Sequence, residues 1–267
     1  MKTYVINLNK SIDKFNIQKP ILEGVGLDVK RFNAINALED EHIKYKKHIT
    51  SPALLFTPKS VIGCALSHIV LAQHILKKHS NLPSVLIMED DAFPIEKDPD
   101  IFLDSINETI RSISILDPNW DIIQLHSDAC YPGLDTHTTH ALCGSNAAYL
   151  LSNRGALKMA GLNVMSHIDF HTSSSIKFKK YRSKTNLFWT DEELSINRIN
   201  NNTILLKLKS YILTKLIPLR GEKTWDNLLN FKILRIPGID KEFTANQLSN
   251  YIIAFIIFRK YYTKSLI

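Results

Sequence analysis

Residues 85–94 read VLIMEDDAFP. Four apolar residues run directly into three carboxylates, Glu89, Asp90 and Asp91, and a proline closes the stretch. A short apolar run without alternation is the mark of a strand covered on both faces, as in parallel sheets flanked by helices. Three adjacent like charges at its end repel one another unless something positive lies among them. The stretch therefore asks for an α/β fold with a cationic partner at the carboxyl end of a central strand, the edge where open α/β sheets bind ligands. Side chains alternate along a strand, so Glu89 and Asp91 are expected on one face and Asp90 on the other. An all-oxygen pair of this kind suits Mg2+ or Mn2+ rather than zinc. The simpler alternative has one acid capping the following segment and the others solvated.

The rest of the chain alternates as such a fold requires. Strand-like runs cover 3–8, 29–35, 84–90, 121–126 and 147–152. Helical spacing covers a segment after Ser11 that breaks near Pro20, then 60–78, 98–116 and 152–163. This predicts a mostly parallel, doubly wound sheet. Residues 39–60 are polar and turn-rich, a loop with some helix. Cys64, Cys130 and Cys143 have no ligand-like spacing, which argues against a disulfide framework and for a reducing compartment. The opening MKTYVINLNK reads as too short and too polar for a signal peptide, and no run approaches about 18 apolar residues.

Charge divides the chain at residue 200. The net charge is +7, and residues 201–267 hold 11 Lys/Arg against 4 Asp/Glu, so all the excess lies there. Domain 1–200 is read as catalytic and 201–267 as a basic, apolar, helical segment. Within it, 203–220 and 251–264 mix basic residues with bulky aliphatics, and the first places Lys207, Ser210 and Thr214 on one helical face. Two readings stand: tail helices packed on the body, or attachment to an anionic membrane surface. Basic residues interleaved with aliphatics do not make a nucleic-acid stripe.

A hard cation at a sheet edge commonly holds a phosphate. No G-x-x-x-x-G-K-S/T loop is present, and no G-x-G-x-x-G follows the first strand. A metal-bound diphosphate then suggests a nucleotide-sugar transferase, where the cation neutralises the departing diphosphate. Two other classes use clustered acids: a Mg2+-binding receiver domain, with Asp128 as phosphoacceptor, and a metal-dependent phosphohydrolase, with TDEE (190–193) as the second acid cluster.

Five segments in order carry a specific resemblance: YVINLNKSIDKF, RFNAINA, GCALSHIVLAQHIL, VLIMEDDAFP, and GSNAAYLLSNRGALKMA followed by HIDFH. The chain resembles glycosyltransferase family 25, the group of bacterial lipooligosaccharide β-galactosyltransferases and collagen galactosyltransferases, over about residues 3–172. Asn9 and Lys14 stand where that family usually has Asp and Arg. The resemblance implies a GT-A-type, Rossmann-like sandwich and an inverting transfer from a UDP-sugar, most often UDP-galactose. The acceptor would be a glycan or lipid-linked glycan such as lipooligosaccharide. It implies a donor site of Asn7, Leu8, Ala34, Ser67, His68, Glu89 and Asp90. It implies Mn2+ or Mg2+ on Glu89, Asp91 and His171, and Asp169 as the catalytic base, with Glu192 and Glu193 as further candidates. From spacing alone, His68 reads as a core histidine, and Asp169 as a helix cap or second-sphere acid. A cytoplasmic enzyme, peripheral on the inner face of the membrane, is the expected setting.

Overall fold

The structure, a computed structural model, describes residues 1–127, 145–174, 178–191, 204–216, 225, 229–238 and 241–252. In chain order its elements are β1 (Lys2–Asn7), α1 (Ile12–Gly24), β2 (Asp28–Asn33), α2 (Ser51–Phe56), α3 (Lys59–Lys78), β3 (Ser84–Glu89), β4 (Ala92–Pro94) and α4 (Pro99–Leu116). Then come β5 (Ile122–Gln124), β6 (Ala148–Ser152), α5 (Asn153–Ala160), α6 (Ile168–Ser174), β7 (Lys180–Arg182), β8 (Phe188–Thr190), α7 (Ile204–Leu216), β9 (Lys232–Ile236) and β10 (Lys241–Thr244).

The central sheet has the order β2-β1-β3-β6-β5-β7. β1 pairs in parallel with β2 and β3, and β5 pairs in parallel with β7. β6 runs antiparallel to both of its neighbours. The sheet is thus mostly parallel, as the alternation predicts, with one reversed strand. An apolar run such as Ala148–Ser152 is buried alike in either direction, so its residues do not announce the reversal.

β3 shows why the apolar run is continuous. Leu86 and Met88 enter a core shared with Phe15, Leu22, Phe102 and Ile106, while Val85 and Ile87 enter the opposite core with Leu71, Ile75, Ala156 and Met159. Each such side chain contributes roughly 1.5–3 kcal/mol on burial. α3 is long and apolar enough to cross a membrane by length and composition, but 67% of that stretch is buried inside the protein. It is a core helix. Gly63 lets it lie against the chain after β2, since a Cβ there would stand 2.5 Å from the Ile35 carbonyl oxygen.

Two expectations are corrected. α1 does not break at Pro20. Pro20 and Asn16, whose carbonyl loses its helical partner, both lie on the exposed face, where solvent can take that bond. The segment after residue 200 is not helical throughout: α7 and a helix at 245–252 flank the antiparallel hairpin β9–β10. That hairpin docks on the body. Arg235 Nη2 donates to the Leu54 carbonyl, His167 Nε2 lies 2.9 Å from the Lys232 carbonyl, and the His167 ring meets Phe231 edge-on at 5.7 Å.

Candidate active site

The carboxyl ends of β1 and β3 open into a cleft walled by α3 and by the chain following β2. Leu8, Ala34, Ser67, His68, Glu89, Asp90 and Asp91 all line it. Asn7 sits just beneath. The alternation along β3 puts Glu89 on the same side as Val85 and Ile87, facing α3. There Glu89 Oε1 lies 3.3 Å from His68 Nε2 and 3.9 Å from Cys64 Sγ.

The expectation that Asp90 points away from its neighbours is corrected. β3 ends at Glu89, and residues 90–91 form a turn into β4. Strand alternation stops there, so all three acids reach one cleft. Asp90 Oδ2 accepts from Asn7 Nδ2 at 2.7 Å, and Asn7 Oδ1 accepts from Arg31 Nε at 2.7 Å. Arg31 also donates to Asn9 Oδ1 at 2.9 Å. Burial pushes the Asp90 carboxyl up, while the Asn7 bond and the nearby Lys14 ammonium pull it back.

Gln18 and Arg31, which sequence reasoning missed, and Asp191 of the TDEE run support this turn and its surroundings. Gln18, buried on α1, donates through Nε2 to the Glu89 carbonyl at 3.0 Å and also to the Ala92 carbonyl. Its only signal was a polar residue inside the Phe15–Leu22 apolar stripe. Arg31 sat unremarked in a strand. Asp191 gives its backbone N–H to the Asp91 carbonyl at 2.9 Å, where β4 and β8 pair antiparallel. Asp191, in the TDEE run, is thereby set beside the acid cluster. Glu192 and Glu193 lie outside the described residues, as do Asp128, Cys130, Cys143 and 253–264.

Ser67 spends its hydroxyl internally. It donates to the Gly63 carbonyl at 2.7 Å and accepts from Ile35 N–H at 2.8 Å, pinning the Ala34–Asn36 wall to α3. His68 is fully buried, yet it touches the site: Nδ1 is 2.8 Å from the Tyr149 hydroxyl, and Nε2 faces Glu89.

Asp169 opens α6, close enough to Glu89 for their charges to interact. Burial first, and then the Glu89 charge, raise its carboxyl above the usual range, against the pull of Lys180, His167 and His68. Its Oδ1 is shielded from solvent and has no hydrogen-bond partner. Lys180, buried on β7, has its ammonium pushed down to about 8 by burial, and Asp169 opposes that shift. Lys180 Nζ donates to Thr172 Oγ1 at 3.1 Å, and Thr172 bonds in turn to Asn146. His171 faces elsewhere: its Nε2 accepts from Met165 N–H at 2.9 Å and Ser166 N–H at 3.3 Å, leaving Nδ1 as the ring nitrogen for any metal.

The cluster fits a hard divalent cation. Glu89, Asp90 and Asp91 line one cleft with oxygen ligands and surplus negative charge, and Asp169, in electrostatic reach of Glu89, has a buried carboxylate oxygen without a hydrogen-bond partner.

Residues 1–131 match the family model described as Glycosyltransferase family 25 (LPS biosynthesis protein). No curated protein sequence matches the chain significantly. Among solved structures, a glycosyltransferase involved in the glycosylation of the major capsid of PBCV-1 superposes with a TM-score of 0.43 at 11% identity, over 73% of this chain and 93% of that one. A197 from STIV superposes with a TM-score of 0.35 at 10% identity, over 76% of this chain and 100% of that one.

Proposed function

We propose that this chain, whose residues 1–131 match glycosyltransferase family 25, moves a hexose from a UDP-sugar to a glycan acceptor, with inversion at the anomeric carbon. Galactose is the proposed sugar, a lipooligosaccharide-type glycan the proposed acceptor, and GT-A the proposed fold type. The observation that carries the reading is the meeting of Glu89, Asp90 and Asp91, all within the matched residues, in one cleft at the carboxyl end of β1 and β3, with Asp169 in electrostatic reach of Glu89.

In this reading Glu89 and Asp91 hold Mn2+ or Mg2+, with Asp90 turned to the nucleotide. The cation supplies Lewis-acid stabilisation of the leaving diphosphate. Lys14, lining the same cleft, adds a positive charge on the donor side. Asn7 fixes Asp90 and is fixed by Arg31, so the donor wall is preorganised before binding. Asp169 takes the acceptor hydroxyl proton, and Lys180 keeps positive charge beside it so that a buried carboxylate can ionise next to Glu89. His171 enters only through Nδ1.

The test is thermal. Full-length protein should be stabilised by UDP in the presence of Mn2+ and not in its absence, and should release UDP from UDP-galactose when given an acceptor. A receiver domain or a phosphohydrolase would show neither. UDP stabilisation that is equal with Mn2+ and with chelator would remove the metal from the reading.

We place the enzyme in the cytoplasm, peripheral on the inner face of the membrane. The support is α7. Its Leu206 and Ser210 are buried, and Lys209 donates to Asn246 Oδ1 at 3.0 Å and Ser249 Oγ at 2.7 Å, so one face packs against the helix at 245–252. The other face exposes Ile204, Leu208, Tyr211, Ile212 and Leu216 beside the exposed Lys207 and Lys215. Apolar and basic residues side by side suit an interfacial helix, and each lysine near an anionic surface contributes about 1 kcal/mol. The protein should co-sediment with anionic vesicles at low salt and release at high salt. Lys207→Glu with Lys215→Glu should weaken that binding by about 10-fold or more, leaving transfer to a soluble acceptor intact. Equal, weak binding to anionic and neutral vesicles would return α7 to a packed tail helix.

A further inference from the structure

The cleft holds a second, chemically different ligand set. Cys64, His68 and Glu89 each offer one ligand atom, and these atoms lie within 4.8 Å of one another. Cys64 and His68 are four residues apart on α3, so they share one face of the helix. Glu89 reaches that face because strand alternation points it at α3. All three line the cleft, which leaves a further position open to it.

Two of the three ligand–ligand spacings lie close to the edges of a coordination tetrahedron. With zinc bonds of about 2.3 Å to sulfur, 2.0–2.1 Å to nitrogen and 2.0–2.2 Å to oxygen, tetrahedral edges come to about 3.4 Å from N to O and about 3.6 Å from S to O. Here His68 Nε2 lies 3.3 Å and Cys64 Sγ 3.9 Å from Glu89 Oε1.

The hydrogen-bond network prepares the imidazole. His68 Nδ1 lies 2.8 Å from the Tyr149 hydroxyl, which also reaches Met159 Sδ at 3.6 Å, so the ring is held from its Nδ1 side with Nε2 turned to Glu89. In the tautomer that carries its proton on Nδ1, Nε2 presents a lone pair beside Glu89 Oε1, as a metal ligand would. An imidazole held by its other nitrogen is also the usual arrangement of a metal-ligating histidine. Burial, and after it the surrounding acids, pushes the Cys64 thiol up, and those same acids attract a dication.

We infer that Cys64, His68 and Glu89 form a binding site for a thiophilic divalent cation of the Zn2+ class, with its fourth position open to the cleft. Zinc displaces the thiol proton and becomes a tetrahedral three-ligand centre. The oxygen-only set of Glu89 and Asp91 prefers the harder Mn2+ or Mg2+. Glu89 belongs to both sets, so the two kinds of cation compete for it. The site itself does not depend on transfer chemistry and can be read without donor or acceptor.

Co2+ is the probe, because it reports thiolate ligation directly. Metal-free, reduced full-length protein titrated with Co2+ should develop a near-ultraviolet thiolate-to-cobalt band and the strong visible absorption of tetrahedral cobalt. Both should saturate at one equivalent and disappear when Zn2+ is added. Cys64→Ser should lose the near-ultraviolet band, and Cys130→Ser with Cys143→Ser should keep it. Weak, octahedral-type absorption in the unaltered protein overturns the inference whatever the variants do. So does a thiolate band that survives Cys64→Ser, or one abolished by the Cys130/Cys143 pair while Cys64 remains.

Discussion

Asp169→Asn is expected to lower turnover by about 10²–10⁴-fold, the contribution of a positioned general base. It should also raise the melting temperature at neutral pH. The two effects have one cause. Asparagine keeps the shape but cannot take the acceptor proton, so turnover falls while UDP affinity stays close to unaltered. The stability change follows from the raised carboxyl value of Asp169, set by burial and by Glu89 after the attraction of Lys180 is included. A group that holds its proton more tightly when folded loses stability as pH rises from its ordinary value, about 3.9, through its folded value. At pH 7 the wild-type protein therefore carries an ionisation cost that the variant lacks. Melting curves should show the Asp169→Asn variant above wild type at pH 7, with the gap closing below about pH 4. The acid limb of the wild-type rate profile should also lie above the ordinary carboxylate range. A variant that lost UDP binding yet kept its turnover number at saturating donor would assign Asp169 to the donor site instead.

Asp91→Ala is expected to abolish divalent-dependent turnover with the fold intact. The backbone carbonyl of Asp91, which receives Asp191 N–H at 2.9 Å, survives the substitution, so the β4–β8 pairing does too. What is lost is a carboxylate in the oxygen set. Metal stabilisation of the leaving group supplies several kcal/mol, so the loss should be about 10²–10³-fold or more. Asp90→Ala should differ in kind. It removes the acceptor of the Asn7 bond and loosens the donor wall, so it should raise the donor KM more than it lowers the Mn2+ response. Initial rates against Mn2+ and against UDP-sugar separate the two variants. Near-wild-type turnover of Asp91→Ala in the presence of chelator would sink the assignment of Asp91 to the metal.

The long periodic segments were legible in advance because their patterns are local. α3 and α4 fall within a residue or two of their expected bounds, and β3 ends at the first carboxylate of the acidic run. The short strands were not legible. β4, β7 and β8 span three residues each, too few for an alternation to register. The β9–β10 hairpin was hidden differently: its residues alternate weakly, and their partners, Leu54 and His167, lie far away in the chain.

By itself the sequence determined that acids would gather at the carboxyl edge of a buried strand, because four apolar residues can be hidden there and three charges cannot. It also determined which helix would wall the cleft, since GCALSHIVLAQHIL carries its own period. Tertiary structure alone decided which way each acid faces. The turn after Glu89 cancels strand alternation and sends Asp90 to Asn7, while Gln18, 71 residues from Glu89 in the chain, clamps that turn from α1. It alone brought Asp169 within electrostatic reach of Glu89 and seated Lys180 beside it. Such placements depend on burial and on charges from separate elements, and those fields exist only once the sheet and its helices have closed around them.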